Sequence, residues 1–137
     1  MPQSLSAILL VDDDPSTNYL NEAALYPLQL TSTYLTAGNG QQALELLAAT
    51  PATPQQPVLV LLDMNMPVLT GMGFLEGLQT LPAAVREAVI IVVVAVSMTS
   101  ADMGQLEKYA IAGLISKPLT ADKLTPILRL HFSAAAG

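Results

Sequence analysis

Four apolar runs in this chain each stop at a small polar or charged residue with chemical capability, and that recurrence constrains the fold more than any other feature. Ile8-Leu9-Leu10-Val11 stops at Asp12, Asp13 and Asp14, and Val58 to Leu62 stops at Asp63. Val89 to Val96 stops at Ser97, and Gly113-Leu114-Ile115 leads into Ser116 and Lys117. Short apolar runs rich in β-branched residues, with no polar alternation, suit strands buried on both faces, the condition of a parallel sheet. If these runs are neighbouring parallel strands, their carboxyl ends gather carboxylates, a hydroxyl and an ammonium at one edge. That set suits a metal ion and a phosphoryl group.

Strand and helix signals alternate along the whole chain, the pattern of an open parallel sheet covered by helices on both sides. The first strand reads Ala7 to Asp12. Asp14-Pro15 then supplies an N-cap and a proline at the first helical position, and Tyr19, Leu20, Ala23 and Ala24 recur at helical spacing up to Pro27. Leu30 to Thr36 predicts a weaker, more exposed second strand at an edge of the sheet. Asn39-Gly40 opens a helix through Ala43, Leu44, Leu46 and Leu47, which fades into the proline-rich loop Thr50 to Pro57. Val58 to Asp63 is the third strand, and a helix bearing Phe74, Leu75 and Leu78 ends near Leu81-Pro82. The remaining elements are a fourth strand over Val89 to Val96, a fourth helix from about Ser100 to Ala112, a fifth strand over Leu114 to Ser116 and a fifth helix after Thr120. Right-handed crossovers require the helices to change faces where the strand order reverses. Ligands of such sheets sit beyond the strand carboxyl ends at that point, where Asp12, Asp13, Asp63, Ser97 and Lys117 fall.

Composition narrows the function. At 137 residues the chain is one domain, 1–137 with a core of about 6–132, able to bury most of its apolar surface. The longest apolar run, Ala88 to Val96, is about half of the roughly 18 residues needed to cross a bilayer, so no membrane association is expected. Met1 to Ser6 has no basic segment followed by an apolar stretch, so the cytoplasm is the expected compartment. With no cysteine and the single histidine His131, disulfides, thiolate chemistry and histidine-based zinc sites are excluded. A net charge of −6, with five Lys and Arg, argues against direct nucleic-acid binding.

A small hard cation such as Mg²⁺ accepts two or three carboxylates together with water and a phosphoryl oxygen. An aspartate beside such a cation can attack phosphorus to give an acyl phosphate, while the metal and a lysine offset charge on the transferring oxygens. Asp63 is the candidate nucleophile and Asp12 and Asp13 the candidate metal residues. Each also has a plainer reading: Asp14, and in part its neighbours, as helix caps, Asp63 and Ser97 as polar strand ends, Lys117 as a solvated side chain. One cap does not require three consecutive acids, and the convergence of all these residues at one edge favours the chemical reading.

In order and spacing, Ile8 to Pro15, Asn39-Gly40 with Ala43-Leu44, Leu62 to Pro67 with Gly71, Ser97, and Lys117-Pro118-Leu119 resemble the receiver domain of two-component response regulators, in its single-domain, chemotaxis-regulator-like form. The resemblance covers nearly the whole chain. The fold it implies is α/β: a doubly wound, five-stranded parallel sheet of order 2-1-3-4-5, flavodoxin-like, with five helices. It implies that Asp63 accepts a phosphoryl group from a histidine kinase or phosphotransfer protein. Asp13 and Asp63 would ligate Mg²⁺ directly, Asp12 mainly through water, and the backbone carbonyl of Asn65 would complete the protein ligands. Ser97 would hydrogen-bond the phosphoryl oxygen and Lys117 would pair with it. The chain would catalyse only its own phosphorylation and dephosphorylation, and would signal to an effector protein through the surface of the fourth helix, fifth strand and fifth helix. A homodimer through that surface is common in the family.

Two residues depart from the family pattern. Leu114 stands where an aromatic switch residue is usual, and Met98 stands beside the hydroxyl residue where a small side chain is common. Asn65 and Thr99 occupy positions that in the family modulate hydrolysis of the acyl phosphate, so the resemblance implies that Asn65→Ala or Thr99→Ala changes its rate. Two other functions compete. A phosphohydrolase with an aspartate nucleophile needs an acid two residues beyond it, where this chain has Asn65. A degenerate receiver would be a phosphorylation-independent binding module in which Met98 and Leu114 disable switching, but it would have no use for the mutual repulsion of Asp12, Asp13 and Asp63.

Overall fold

A computed structural model describes residues 5–64 and 71–136. In chain order the elements are β1 (Ala7–Val11), α1 (Pro15–Leu25), β2 (Tyr34–Ala37), α2 (Gly40–Ala49), β3 (Val58–Asp63), α3 (Gly71–Leu78), α4 (Ala83–Glu87), β4 (Val89–Ala95), α5 (Ser100–Leu106), β5 (Gly113–Ser116) and α6 (Ala121–Ala136). A 3₁₀ turn over Tyr26–Leu28 follows α1. The five strands form one parallel sheet of order β2-β1-β3-β4-β5.

The period of two along each strand divides the core. Ala7, Leu9 and Val11 of β1, Val58, Val60 and Leu62 of β3, and Ile91 and Val93 of β4 face one layer, where Ala43 and Leu47 of α2, Phe74 and Leu75 of α3 and Leu106 of α5 cover them. Ile8 and Leu10, Leu59 and Leu61, Ile90, Val92 and Val94, and Ile115 face the other, covered by Leu25 of α1 and Leu124 and Leu128 of α6. Strands β1 and β3 are buried throughout and β4 nearly so, whereas the edge strands β2 and β5 are partly exposed. This is why the central strands read as continuous apolar runs. No helix among the described residues is long and apolar enough to cross a membrane.

The structure corrects four details. Among the described residues a sixth, five-residue helix joins the five expected: Pro82, read as the end of the third helix, is the N-cap of the short α4. The helix after β4 ends at Leu106 rather than near Ala112. Gly104 lies in its interior, and a glycine there costs about 1 kcal/mol of helix propensity. The second strand starts at Tyr34, four residues later than read. The inward face of α1 is also differently phased. Asn18 and Leu25 are buried, while Tyr19 and Leu20, taken as part of the apolar stripe, are exposed.

Candidate functional site

Val11 pairs with Leu62 across β1 and β3, so the next residue along each strand, Asp12 and Asp63, stand together where the strand order reverses. Both are 5% exposed, and Asp13 is exposed beside them. One carboxylate oxygen from each of Asp12, Asp13 and Asp63 lies within 4.8 Å of the others. Lys117 arrives from the end of β5. Its backbone N–H donates to the Ala95 carbonyl at 2.8 Å, and its ammonium stands 3.3 Å from Asp12 Oδ2 and 3.5 Å from Asp63 Oδ1. The Lys117–Pro118 peptide is cis. Burial of the ammonium works to lower the Lys117 pKa, but attraction to Asp63 and Asp12 outweighs it and holds the pKa above its ordinary value.

Local hydrogen bonds fix the acids. Asp12 Oδ1 accepts from the Asp14 N–H at 3.0 Å, so one oxygen of Asp12 holds the turn and the other faces Lys117. Asp14 is the N-cap of α1, accepting from the Ser16 N–H at 2.9 Å and from the Thr17 hydroxyl at 3.2 Å, which is the capping role read for it. On the far side of Asp63, the Gly71 N–H donates to the Met64 carbonyl at 3.3 Å. A Cβ at Gly71 would meet Met64 Sδ at 2.6 Å and Met64 Cα at 2.8 Å, so only glycine lets α3 start this close to the end of β3.

Ser97, exposed, follows β4 and lines a cavity of about 320 Å³ with Met98, Met103 and Leu114. Met98 is half-buried and packs on the core layer under α2, α3 and α5. Thr99 caps α5: its hydroxyl accepts from the Asp102 N–H at 3.1 Å, and Asp102 Oδ2 accepts from the Thr99 N–H at 3.2 Å. Leu114 is 39% exposed on β5. Asn65 lies outside the described residues. Thus Asp12, Asp13, Asp63 and Lys117 form one cluster, with Ser97 at the carboxyl end of the neighbouring strand.

Two supporting residues escaped the sequence reading. Asn18, buried in α1, donates from Nδ2 to the Asp12 carbonyl at 3.1 Å. Lys123, in the first turn of α6, donates from its ammonium to the carbonyls of Ser116 at 3.0 Å and Pro118 at 2.9 Å. A lysine there opposes the helix dipole, and that misplacement was the available signal.

Three carboxylates against one ammonium leave excess negative charge, and all the donors are hard oxygens close enough to share one ion. That donor set fits Mg²⁺. A parallel sheet with such a lysine-paired acidic cluster at its switch point defines a class of signalling domain, and the comparisons give its family. The chain belongs to the response regulator receiver domain family, whose model it matches over residues 8–129. A relative described as a probable chemotaxis protein CheY, from Rhizobium etli, is 31% identical, with 93% of this chain and 92% of that protein aligned. A response regulator receiver protein from Dyadobacter fermentans superposes with a TM-score of 0.79 at 27% identity, over 93% of this chain and 98% of that one. A two-component response regulator from Cytophaga hutchinsonii has the same fold, with a TM-score of 0.80 at 22% identity over 95% and 98% of the two chains.

Proposed function

We propose that Asp63 is the phosphoacceptor, taking a phosphoryl group from a histidine kinase or phosphotransfer protein with Mg²⁺ present, and that the phosphorylated chain signals by contact with an effector protein. The observation that carries this reading is the convergence of Asp12, Asp13 and Asp63 within 4.8 Å, with Lys117 ion-paired to both buried acids. An oxygen of Asp63 attacks phosphorus, the P–N bond to the donor imidazole breaks, and the imidazole nitrogen recovers the electron pair and takes a proton. Mg²⁺, when bound, would supply positive charge to the phosphoryl oxygens. Asp13 and Asp63 would hold it directly, and the family resemblance adds the Asn65 carbonyl. Asp12 would act mainly through water, in keeping with the turn hydrogen bond that occupies one of its oxygens. Lys117 shifts from the carboxylates of Asp12 and Asp63 to the incoming phosphoryl group, and Ser97 donates to one of its oxygens.

The reading carries the cytoplasmic location expected from the sequence. Net charge −6 favours a protein effector over direct contact with nucleic acid. The acids and the lysine, all in place, weigh against the phosphorylation-independent alternative. The test is incubation with Mg²⁺ and acetyl phosphate, followed by intact mass measurement, with Asp63→Asn as control. A gain of one phosphoryl group that requires both Mg²⁺ and Asp63 is expected. A folded wild-type chain that neither gains it nor binds beryllofluoride would overturn the reading.

A further inference from the structure

Lys117 carries positive charge to the acids, yet its own backbone sits in a connection between β5 and α6 that no strand pairing holds beyond Ser116. Leu119 anchors that connection in the core, and two polar contacts hold the backbone beside Lys117. The Lys117 N–H donates to Ala95, which ties one side to β4. The other contact is Lys123, whose ammonium lies 3.0 Å from the Ser116 carbonyl and 2.9 Å from the Pro118 carbonyl. These carbonyls belong to the residues immediately before and after Lys117. One cation therefore grips the chain on both flanks of the lysine that reaches Asp12 and Asp63.

Helix stability does not explain a lysine at this position. Near a helix N-terminus the free N–H groups favour acids such as the adjacent Asp122, and a cation there is mildly unfavourable. Nor does Lys123 have a carboxylate partner among the described residues: its ammonium contacts are backbone carbonyls. Its backbone N–H already has the Thr120 hydroxyl at 3.3 Å, so the side chain is not needed for the cap. What the side chain does is hold two carbonyls in one orientation and so fix the direction from which Lys117 leaves the backbone. A lysine has several rotatable bonds, and fixing the start of its path limits the positions its ammonium samples. Positioning of this kind matters because charge stabilisation of a transferring phosphoryl group depends on where the cation sits when the bond forms.

We propose that Lys123 is a positioning residue for Asp63 phosphorylation, acting through the backbone on either side of Lys117. The proposal rests on the reading of Asp63 as phosphoacceptor. The test compares wild type, Lys123→Met, Lys123→Arg, Lys117→Met and the Lys117→Met/Lys123→Met double variant. The rate of phosphorylation by acetyl phosphate is read as a function of Mg²⁺ concentration, and far-UV circular dichroism confirms folding. Lys123→Met is expected to lower the limiting rate about tenfold, the scale of a small misplacement of a charge-stabilising group. The Mg²⁺ concentration for half-maximal rate does not rise, because the carboxylates keep their places and a displaced Lys117 ammonium competes less with the cation. Lys123→Arg, which keeps a cationic donor, recovers most of the rate. In the double variant the second substitution adds no further loss, since Lys123 acts only through Lys117.

A Lys123→Met rate equal to wild type would overturn the proposal and leave the phosphoacceptor reading standing. So would a loss that is as large in the Lys117→Met background as alone, or one that appears as weaker Mg²⁺ dependence. A folded wild-type chain that takes no phosphoryl group at Asp63 would remove both.

Discussion

Neutralising the proposed phosphoacceptor should make the metal-free chain more stable. Asp63 is 5% exposed, and its carboxylate lies within 4.8 Å of those of Asp12 and Asp13 and 3.5 Å from the Lys117 ammonium. At an effective dielectric of about 20, unit charges separated by 4.8 Å repel by about 3.5 kcal/mol, and opposite charges at 3.5 Å attract by about 4.7 kcal/mol. Asp63→Asn thus removes roughly 3.5 kcal/mol of repulsion from Asp12 and, because Asp13 is exposed, roughly 1 to 3.5 kcal/mol from Asp13. It also removes roughly 4.7 kcal/mol of attraction to Lys117. These terms nearly cancel or favour the variant, and the amide escapes the desolvation cost of a buried carboxylate. The expected gain is about 1–3 kcal/mol in EDTA, measured by urea unfolding. The chain has no tryptophan, so far-UV circular dichroism is the signal. Saturating Mg²⁺ should then stabilise wild type by about 1.4 kcal/mol at ten times its Kd, and the variant much less, closing the gap. A variant less stable than wild type in EDTA would refute the reasoning, because the Lys117 pairing would then outweigh the crowding of the acids.

Gly71→Ala places a Cβ 2.8 Å from Met64 Cα, so strand end and helix start must separate. We expect a loss of about 1–3 kcal/mol in urea unfolding together with slower phosphorylation of Asp63, and an unchanged rate would show that the site tolerates the shift. Gly104→Ala meets nothing within 4 Å and should stabilise α5 by about 0.5–1 kcal/mol, read as a raised unfolding midpoint; a lowered midpoint would contradict the open space beside Gly104. Since the acids raise the Lys117 pKa, its contribution to stability is complete below the unfolded value of about 10.4 and is lost as pH rises through the higher folded value. Between pH 9 and 11.5 wild type should therefore lose more stability than Lys117→Met, and equal losses would contradict the pairing.

The central sheet was legible because β1, β3 and β4 are covered on both faces, which removes polar alternation and leaves unbroken apolar runs that stop where the sheet stops. The same logic exposed the site, since Asp63 ends β3 and Asp12 and Lys117 directly follow β1 and β5. What escaped depends on tertiary contact. The phase of α1 was misread because Tyr19 and Leu20 are apolar yet outward, while Asn18 is polar and inward, held by the Asp12 carbonyl. The short α4 was hidden because Pro82 signals a break equally well as a stop or as a start. Lys123 carried no motif, and only the distances to Ser116 and Pro118 show what it does.

The departure at Leu114 bears on how far a change at Ser97 can travel. Both side chains line the same cavity of about 320 Å³, with Met98 and Met103 as the other movable apolar groups. Leu114 is 39% exposed, and complete burial of a leucine side chain is worth about 1.5–3 kcal/mol, so drawing its exposed part inward contributes only about 1 kcal/mol. Reversing a two-state equilibrium from 1:99 to 99:1 takes about 5.5 kcal/mol. Leu114 by itself therefore shifts such an equilibrium about fivefold. Under the proposed function, the larger part of any switching energy would have to come from interactions of Ser97 and Lys117 with the phosphoryl group, and from repacking of Met98 and Met103, whose unbranched side chains adapt to a changed cavity. On the proposed phosphorylation of Asp63, the surface around β5 would thus be controlled chiefly from the site end, by how firmly Lys117 and Ser97 hold the phosphoryl oxygens, rather than by a side chain swinging between inside and outside.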